Sequence, residues 1–204
     1  MKNTLLILAI LFFINYSYAQ EQKKYYDDGD LMSIGKYEDG KKIGEHKKYY
    51  GDEQIEIISN YEEGKLSGEY KSYYRNGQLE VISNYNNGKL TGEYNSYYRN
   101  GQLKVISNYN NGKLTGEYKY YHKNGRLNVI QHLIDGERIG DVKEYFDNGQ
   151  LESIKNYING DLGKFKEYNK NGKLTAIGEW KDGNVTEKRY YYDLNGELIG
   201  TTRN

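Results

Sequence analysis

The sequence predicts an all-β protein: an extended antiparallel β-meander of about eight 24-residue β-hairpin repeats that follows an N-terminal signal peptide. Three observations predict it. Tyr73-Tyr74-Arg75-Asn76-Gly77-Gln78-Leu79 returns unchanged as Tyr97-Tyr98-Arg99-Asn100-Gly101-Gln102-Leu103, and a fixed period of this size marks a repeat architecture. The chain carries 25 tyrosines and 24 glycines with no proline; tyrosine favours strands and glycine favours turns, while alanine, the strongest helix former, is scarce. Turn dipeptides recur at even intervals between apolar stretches, as a hairpin series requires.

The first element is the leader, residues 1–19. Lys2 supplies a positive start, Leu5 to Ile14 an apolar run, and Ser17-Tyr18-Ala19 small residues where a signal peptidase reads. Cleavage is expected between Ala19 and Gln20, leaving a mature domain of residues 20–204. The apolar run falls well short of the roughly 20 residues that span a bilayer, so no integral membrane anchor is expected. With no cysteine, a lipid anchor on a lipobox cysteine is excluded, as are thiolate catalysis and disulfide stapling.

The repeats come next. The first-turn glycine recurs as Gly29, Gly77, Gly101, Gly125, Gly149, Gly172 and Gly196, with Glu53 standing in the second unit. Eleven residues later in the first seven units lies a second turn: Asp39-Gly40, Glu63-Gly64, Asn87-Gly88, Asn111-Gly112, Asp135-Gly136, Asn159-Gly160 and Asp182-Gly183. Such dipeptides accept the positive φ of a tight hairpin turn. A third glycine follows at Gly44, Gly68, Gly92, Gly116 and Gly140. The step from Gly149 to Gly172 is 23, because Asn159-Gly160-Asp161-Leu162-Gly163 lacks the threonine of Asn87-Gly88-Lys89-Leu90-Thr91-Gly92. One missing residue inverts side-chain facing, so a bulge or kink is expected near Leu162.

Two tyrosine columns emerge. Tyr25, Tyr49, Tyr73, Tyr97, Tyr121, Tyr145, Tyr168 and Tyr192 are uniform, and an aliphatic stands six residues after each: Leu31, Ile55, Leu79, Leu103, Leu127, Leu151, Leu174 and Leu198. A three-residue loop with the glycine as a left-handed bulge pairs Tyr97 with Leu103, and cross-strand aromatic–aliphatic pairs stabilise a sheet. The uniform column is read as structural, a substitute for a second layer. An isoleucine column, Ile58, Ile82, Ile106, Ile130 and Ile154, is expected on the opposite face. The neighbouring column varies: Tyr26, Tyr50, Tyr74, Tyr98, His122, Phe146, Asn169 and Asp193. Any binding specificity is expected there, on Tyr26 through Phe146.

No catalytic, cofactor-binding or metal-ligating constellation stands out. His46, His122 and His132 lack a metal-type spacing, Asp27-Asp28-Gly29-Asp30 lacks the distal glutamate of a calcium loop, and Gly88 to Thr91 lacks the glycine spacing of a phosphate loop. Glutamates such as Glu69, Glu93 and Glu117 repeat from unit to unit and read as a solvated charge ladder, not an active site. After loss of Lys2 with the leader, 28 basic residues face 29 acidic ones, which argues against nucleic acid as a partner.

The pattern Tyr-Tyr-x-Asn-Gly-x-Leu followed by Asn-Gly-Lys-Leu-x-Gly-Glu-Tyr resembles the bacterial variant of the MORN repeat, in the group labelled YwqK-like antitoxins, over residues 25 to about 200. The resemblance implies a β-hairpin repeat fold and a role in protein interaction or scaffolding. The expectation is an exported, non-enzymatic protein-binding module, periplasmic, cell-surface or secreted, that needs no cofactor. A cell-wall or glycan-binding module and an antitoxin or immunity protein are the alternatives; glycan-binding repeats of this look carry about one tryptophan each, and this chain has only Trp180. The last unit, with Glu187 at the third-glycine position, reads as a polar cap.

Overall fold

The computed structural model describes residues 18–181, 184–193 and 196–203. The leader up to residue 17 and the turn at Asp182-Gly183 lie outside the described residues. Sixteen strands form one antiparallel sheet in sequence order. The first hairpins comprise β1 (Gln20–Tyr25) and β2 (Leu31–Glu38), β3 (Lys41–Tyr49) and β4 (Ile55–Glu62), β5 (Lys65–Tyr73) and β6 (Leu79–Asn86), and β7 (Lys89–Tyr97) and β8 (Leu103–Asn110). They continue as β9 (Lys113–Tyr121) and β10 (Leu127–Ile134), β11 (Glu137–Tyr145) and β12 (Leu151–Ile158), β13 (Asp161–Tyr168) and β14 (Leu174–Lys181), and β15 (Asn184–Tyr192) and β16 (Leu198–Arg203). Among the described residues no helix is present, and no other layer covers either face.

The first turns have the expected three-residue geometry. The Tyr98 amide donates to the Gln102 carbonyl at 2.8 Å, the Gly101 amide donates to the Tyr98 carbonyl at 2.8 Å, and Gly101 takes a φ of 81°. Tyr97 therefore faces Leu103, and the equivalent pair forms in all eight units. At the second turns Asp39, Glu63, Asn87, Asn111, Asp135 and Asn159 adopt φ of 47° to 53° ahead of their glycines. That is the left-handed pair a type I′ hairpin needs.

One expectation fails, and the reason is local. Ser96 pairs with Val105 while Tyr97 pairs with Leu103, so Lys104 is an extra, unpaired residue. This bulge inverts facing, and Asn95 then meets Ile106. The isoleucine column consequently shares the face of the uniform tyrosines instead of lying opposite them. Met32, Glu56, Glu80, Asn128, Glu152, Thr175 and Ile199 occupy the same bulge position in the other units.

The other face carries the better-buried side chains: Ser59, Ser83, Ser107 and Ser153, at 4%, 1%, 0% and 2% exposure, with Leu133, Val142 and Ala176. Tyr70 and Tyr94 flank Ser83 across strands, His46 and Tyr70 flank Ser59, and Glu144 and Glu167 flank Ser153. Tyr70 packs edge-to-face on Tyr85 and Tyr94 on Tyr109, with ring centroids 5.8 and 5.9 Å apart. These amphipathic rings replace a second layer, which is how a single sheet buries apolar area. Where the serine column holds glycine instead, a ring lies over the gap: His46 over Gly35 and Phe165 over Gly178.

The third glycine explains a second bulge. Ser83 pairs with Tyr94 but Asn84 pairs with Thr91, so Gly92 and Glu93 are extra relative to β6, with Gly92 at φ 69°. The first five units share this two-residue bulge. In the sixth, Lys155 pairs with Phe165 and Tyr157 with Leu162, leaving one extra residue. The missing threonine is thus taken from an existing bulge, in the expected place, and the facing of β13 is preserved. In the seventh hairpin, where Glu187 replaces the glycine, β14 and β15 pair without a shift.

Candidate interaction surface

The variable column is tied into the fold. The hydroxyls of Tyr26, Tyr50, Tyr74 and Tyr98 donate to the carbonyls of Tyr49, Tyr73, Tyr97 and Tyr121 at 2.7, 2.7, 2.8 and 2.7 Å. His122 Nε2–H donates to the Tyr145 carbonyl at 2.8 Å. Each side chain thereby clamps its unit to the next. Desolvation raises the Tyr50 and Tyr74 phenols, and it pushes the Tyr98 phenol above its ordinary range, helped by the Tyr120 hydroxyl at 3.1 Å. The rings are also covered on one side by cations, Arg75 over Tyr50, Arg99 over Tyr74 and Lys104 over Tyr98. Phe146 has no hydroxyl to donate and lies under Lys170. Asn169 and Asp193 turn inward on their own loops, accepting from Lys173 and Glu197 amides.

Two further ladders run beside it. Asn76, Asn100, Asn124 and Asn148 donate through Nδ2 to carbonyls of the next unit at 2.8 to 3.2 Å. At the opposite edge Gly64, Gly88, Gly112, Gly136 and Gly160 donate backbone amides to carbonyls of the preceding unit. The recurring asparagine of the first turns and glycine of the second turns supply these donors.

The face bearing the uniform tyrosines has a different character. From Tyr25 to Tyr168 the column's hydroxyls make no hydrogen bond among the described residues, whereas Tyr192 donates to the Leu174 carbonyl at 2.5 Å. Beside them a single row of directly paired residues crosses every strand. It begins Lys23, Ile34, Lys47, Ile58, Lys71, Ile82 and Asn95. It continues Ile106, Lys119, Ile130, Lys143, Ile154, Lys166, Ile177, Lys188 and Arg203. Basic and isoleucine residues alternate along it except at Asn95 and at the end, where Arg203 follows Lys188.

Two residues before each early lysine, on the same face, stands a glutamate. Glu21, Glu45 and Glu69 pair with Lys23, Lys47 and Lys71 at 4.0, 3.0 and 2.6 Å, and Glu117 pairs with Lys119. Hydrogen bonds donated to these carboxylates hold Lys47, Lys71 and Lys119 above the usual ammonium range. From the sixth unit the arrangement changes. Asp141 accepts from Asn156 at 2.8 Å instead of meeting Lys143, Lys164 stands two before Lys166, and Thr186 stands two before Lys188. Among the described residues no carboxylate forms an ion pair with Lys143, Lys164, Lys166 or Lys188. An open groove of about 770 Å³ lies here, lined by Ile154, Ile177, Lys164, Lys166, Lys188 and Tyr190 and also by the acids Asp141 and Glu179.

The three histidines are apart: His46 donates to the Lys36 carbonyl at 2.9 Å, His122 sits in the clamp column and His132 is exposed. Among the described residues no group of three His, Asp or Glu side chains is placed to hold a metal ion. Nor is any helix long and apolar enough to cross a membrane.

Comparison with functionally curated proteins finds no match. Solved structures with local similarity include chains from the crystal structures of TcdB2-TccC3-Cdc42 and TcdB2-TccC3, at 14% and 13% identity. They cover 90% and 91% of this chain but only 14% and 15% of theirs, with TM-scores of 0.20 and 0.21, a likeness that establishes neither shared fold nor shared role. A family model described as the MORN repeat variant matches residues 21–39, 66–87, 90–111, 114–135, 138–159 and 162–182. Those segments span more than half of the chain and fall on the first hairpin and on the third to the seventh, and the chain belongs to the MORN repeat variant family.

Proposed function

We propose that the chain is an exported, non-enzymatic interaction module that takes a protein partner on its sheet, chiefly in its C-terminal units. MORN repeats commonly serve in protein or membrane interaction. The observation that carries the reading is where apolar surface is left uncovered. Between residues 26 and 133 no aromatic or large aliphatic side chain is exposed, whereas Ile134, Ile158, Ile177, Trp180 and Val185 all are, Ile134 and Ile158 at 58% and 64%. Apolar side chains left exposed in one part of a repeat array favour that part as the contact surface.

Export rests on the leader, and the tight clamp ladders favour a scaffold role over a moving one. The test is to express the chain with its own leader, sequence its N-terminus and use it to capture proteins from envelope extract. The expected results are a chain beginning at Gln20 and a specific protein retained through washing. An uncleaved cytoplasmic chain, or capture no richer than a bead control, overturns the proposal.

A further inference from the structure

We infer that the groove on the lysine–isoleucine face of the last three units is the docking site for an acidic, aliphatic segment of a protein partner, lying across the strands. The inference rests on the protein-interaction reading above and names the surface and the partner chemistry. Its basis is a contrast within one chain. The row crosses all sixteen strands, with lysine and isoleucine alternating except at Asn95 and the final Arg203, but its lysines are neutralised in place only as far as Lys119, by Glu21, Glu45, Glu69 and Glu117. In the last units Lys164 and Thr186 replace those glutamates, so Lys166 and Lys188 keep their charge available while Ile154 and Ile177 supply the floor.

The surface is not simply basic. Glu179 faces Lys164 across the strands, and Asp141 also lines the groove, so a ligand must place its acids over Lys166 and Lys188 and avoid the row beside them. Alternation favours a ligand that offers acid and aliphatic groups in turn over a continuous sheet of anionic charge. Spacing favours a helix. Successive positions in the row are one strand apart, about 4.8 Å, and one helical turn advances about 5.4 Å. A helix with glutamate and leucine on alternate turns of one face keeps step over four strands, whereas extended-chain side chains on one face repeat at about 6.8 Å and fall out of step.

The test uses the full-length chain and a fluorescent synthetic helix that carries glutamate and leucine on one face, read by anisotropy. Binding is expected, weakened by salt. The reversal K166E/K188E should weaken it by roughly ten-fold, because two ion pairs become repulsions. K47E/K71E, at positions already neutralised, should change it less than about two-fold. K166Q/K188Q, checked for an unchanged β-sheet spectrum, should fall between. Equal effects at both ends of the row, or no peptide binding, overturn the inference; binding only to phosphatidylglycerol vesicles overturns it in favour of a lipid surface. If the envelope partner is captured equally well by K166E/K188E, the interaction reading stands and this groove is not its site.

Discussion

Replacing Tyr74 by Phe removes one hydrogen bond, from its hydroxyl to the Tyr97 carbonyl at 2.8 Å, and leaves the ring beneath Arg99. Such a bond contributes about 1 kcal/mol net. In a linear array each unit contacts only its neighbours, so the loss belongs to the junction of the third and fourth units and not to the whole sheet. Amides that exchange by opening of that junction should exchange about five-fold faster, and the melting temperature should fall by about 2–4 °C. Hydrogen exchange resolved by peptide is the assay, with the effect confined to β5 through β8. The converse is Phe146→Tyr. Asn148 still donates to the Lys170 carbonyl at 3.2 Å, so the turns of those units remain aligned, and a hydroxyl at 146 should slow local exchange by a similar factor. Wild-type rates in Tyr74→Phe, or acceleration spread evenly over all strands, would refute the clamp as drawn.

Three further outcomes follow. Gly178→Ala brings a methyl group against the Phe165 ring and within 2.7 Å of the Thr186 carbonyl, and should destabilise by about 1–3 kcal/mol in urea unfolding; Gly35→Ala, whose three nearest atoms are side-chain atoms of His46 and not backbone, should cost less. Glu53→Gly relieves a left-handed φ of 61° at the one first turn lacking glycine, and should stabilise by about 1 kcal/mol. His46 has its pKa lowered by burial, so its contribution is full above the ordinary value of 6.5 and falls as pH drops through that value toward the folded one. His46→Phe should flatten the decline in the urea midpoint between about pH 7 and 5; an unchanged slope would assign it elsewhere.

The hairpins, their registers and the place of the missing threonine were legible because each depends on a residue with an unusual backbone tolerance. Gly101 and Asn87 declare their φ in their identity. The facing of Ile106 was not legible, because the bulge that sets it falls on Met32, Glu56, Glu80, Lys104, Asn128 and others, and no residue type marks it. A period-2 count therefore went wrong by one across every first hairpin. The variable column misled differently. Its substitutions from Tyr98 to His122 keep a donor that reaches the same carbonyl position, so what varies in sequence is partly constant in chemistry. The charge row was hidden because its members lie one strand apart and become neighbours only once the registers are known.

The graded bulges bear on where divergence is tolerated. A residue deleted from the middle of a strand sends every following side chain to the wrong face, and in this sheet it would break the lysine–isoleucine row for all later strands. Deleted from a two-residue bulge, it costs only one of two unpaired positions. Lys166 and Ile177 still meet in register after the sixth unit, and Lys188 and Arg203 after them. The bulge thus uncouples sequence change from facing. The same segment that loses a residue also exchanges the neutralising acid for Lys164, beside Ile154 and Ile177 on either side of Lys166. Uniform units supply rigidity through clamps at both edges, and the units released from strict repetition acquire uncovered charge and apolar surface without disturbing that frame.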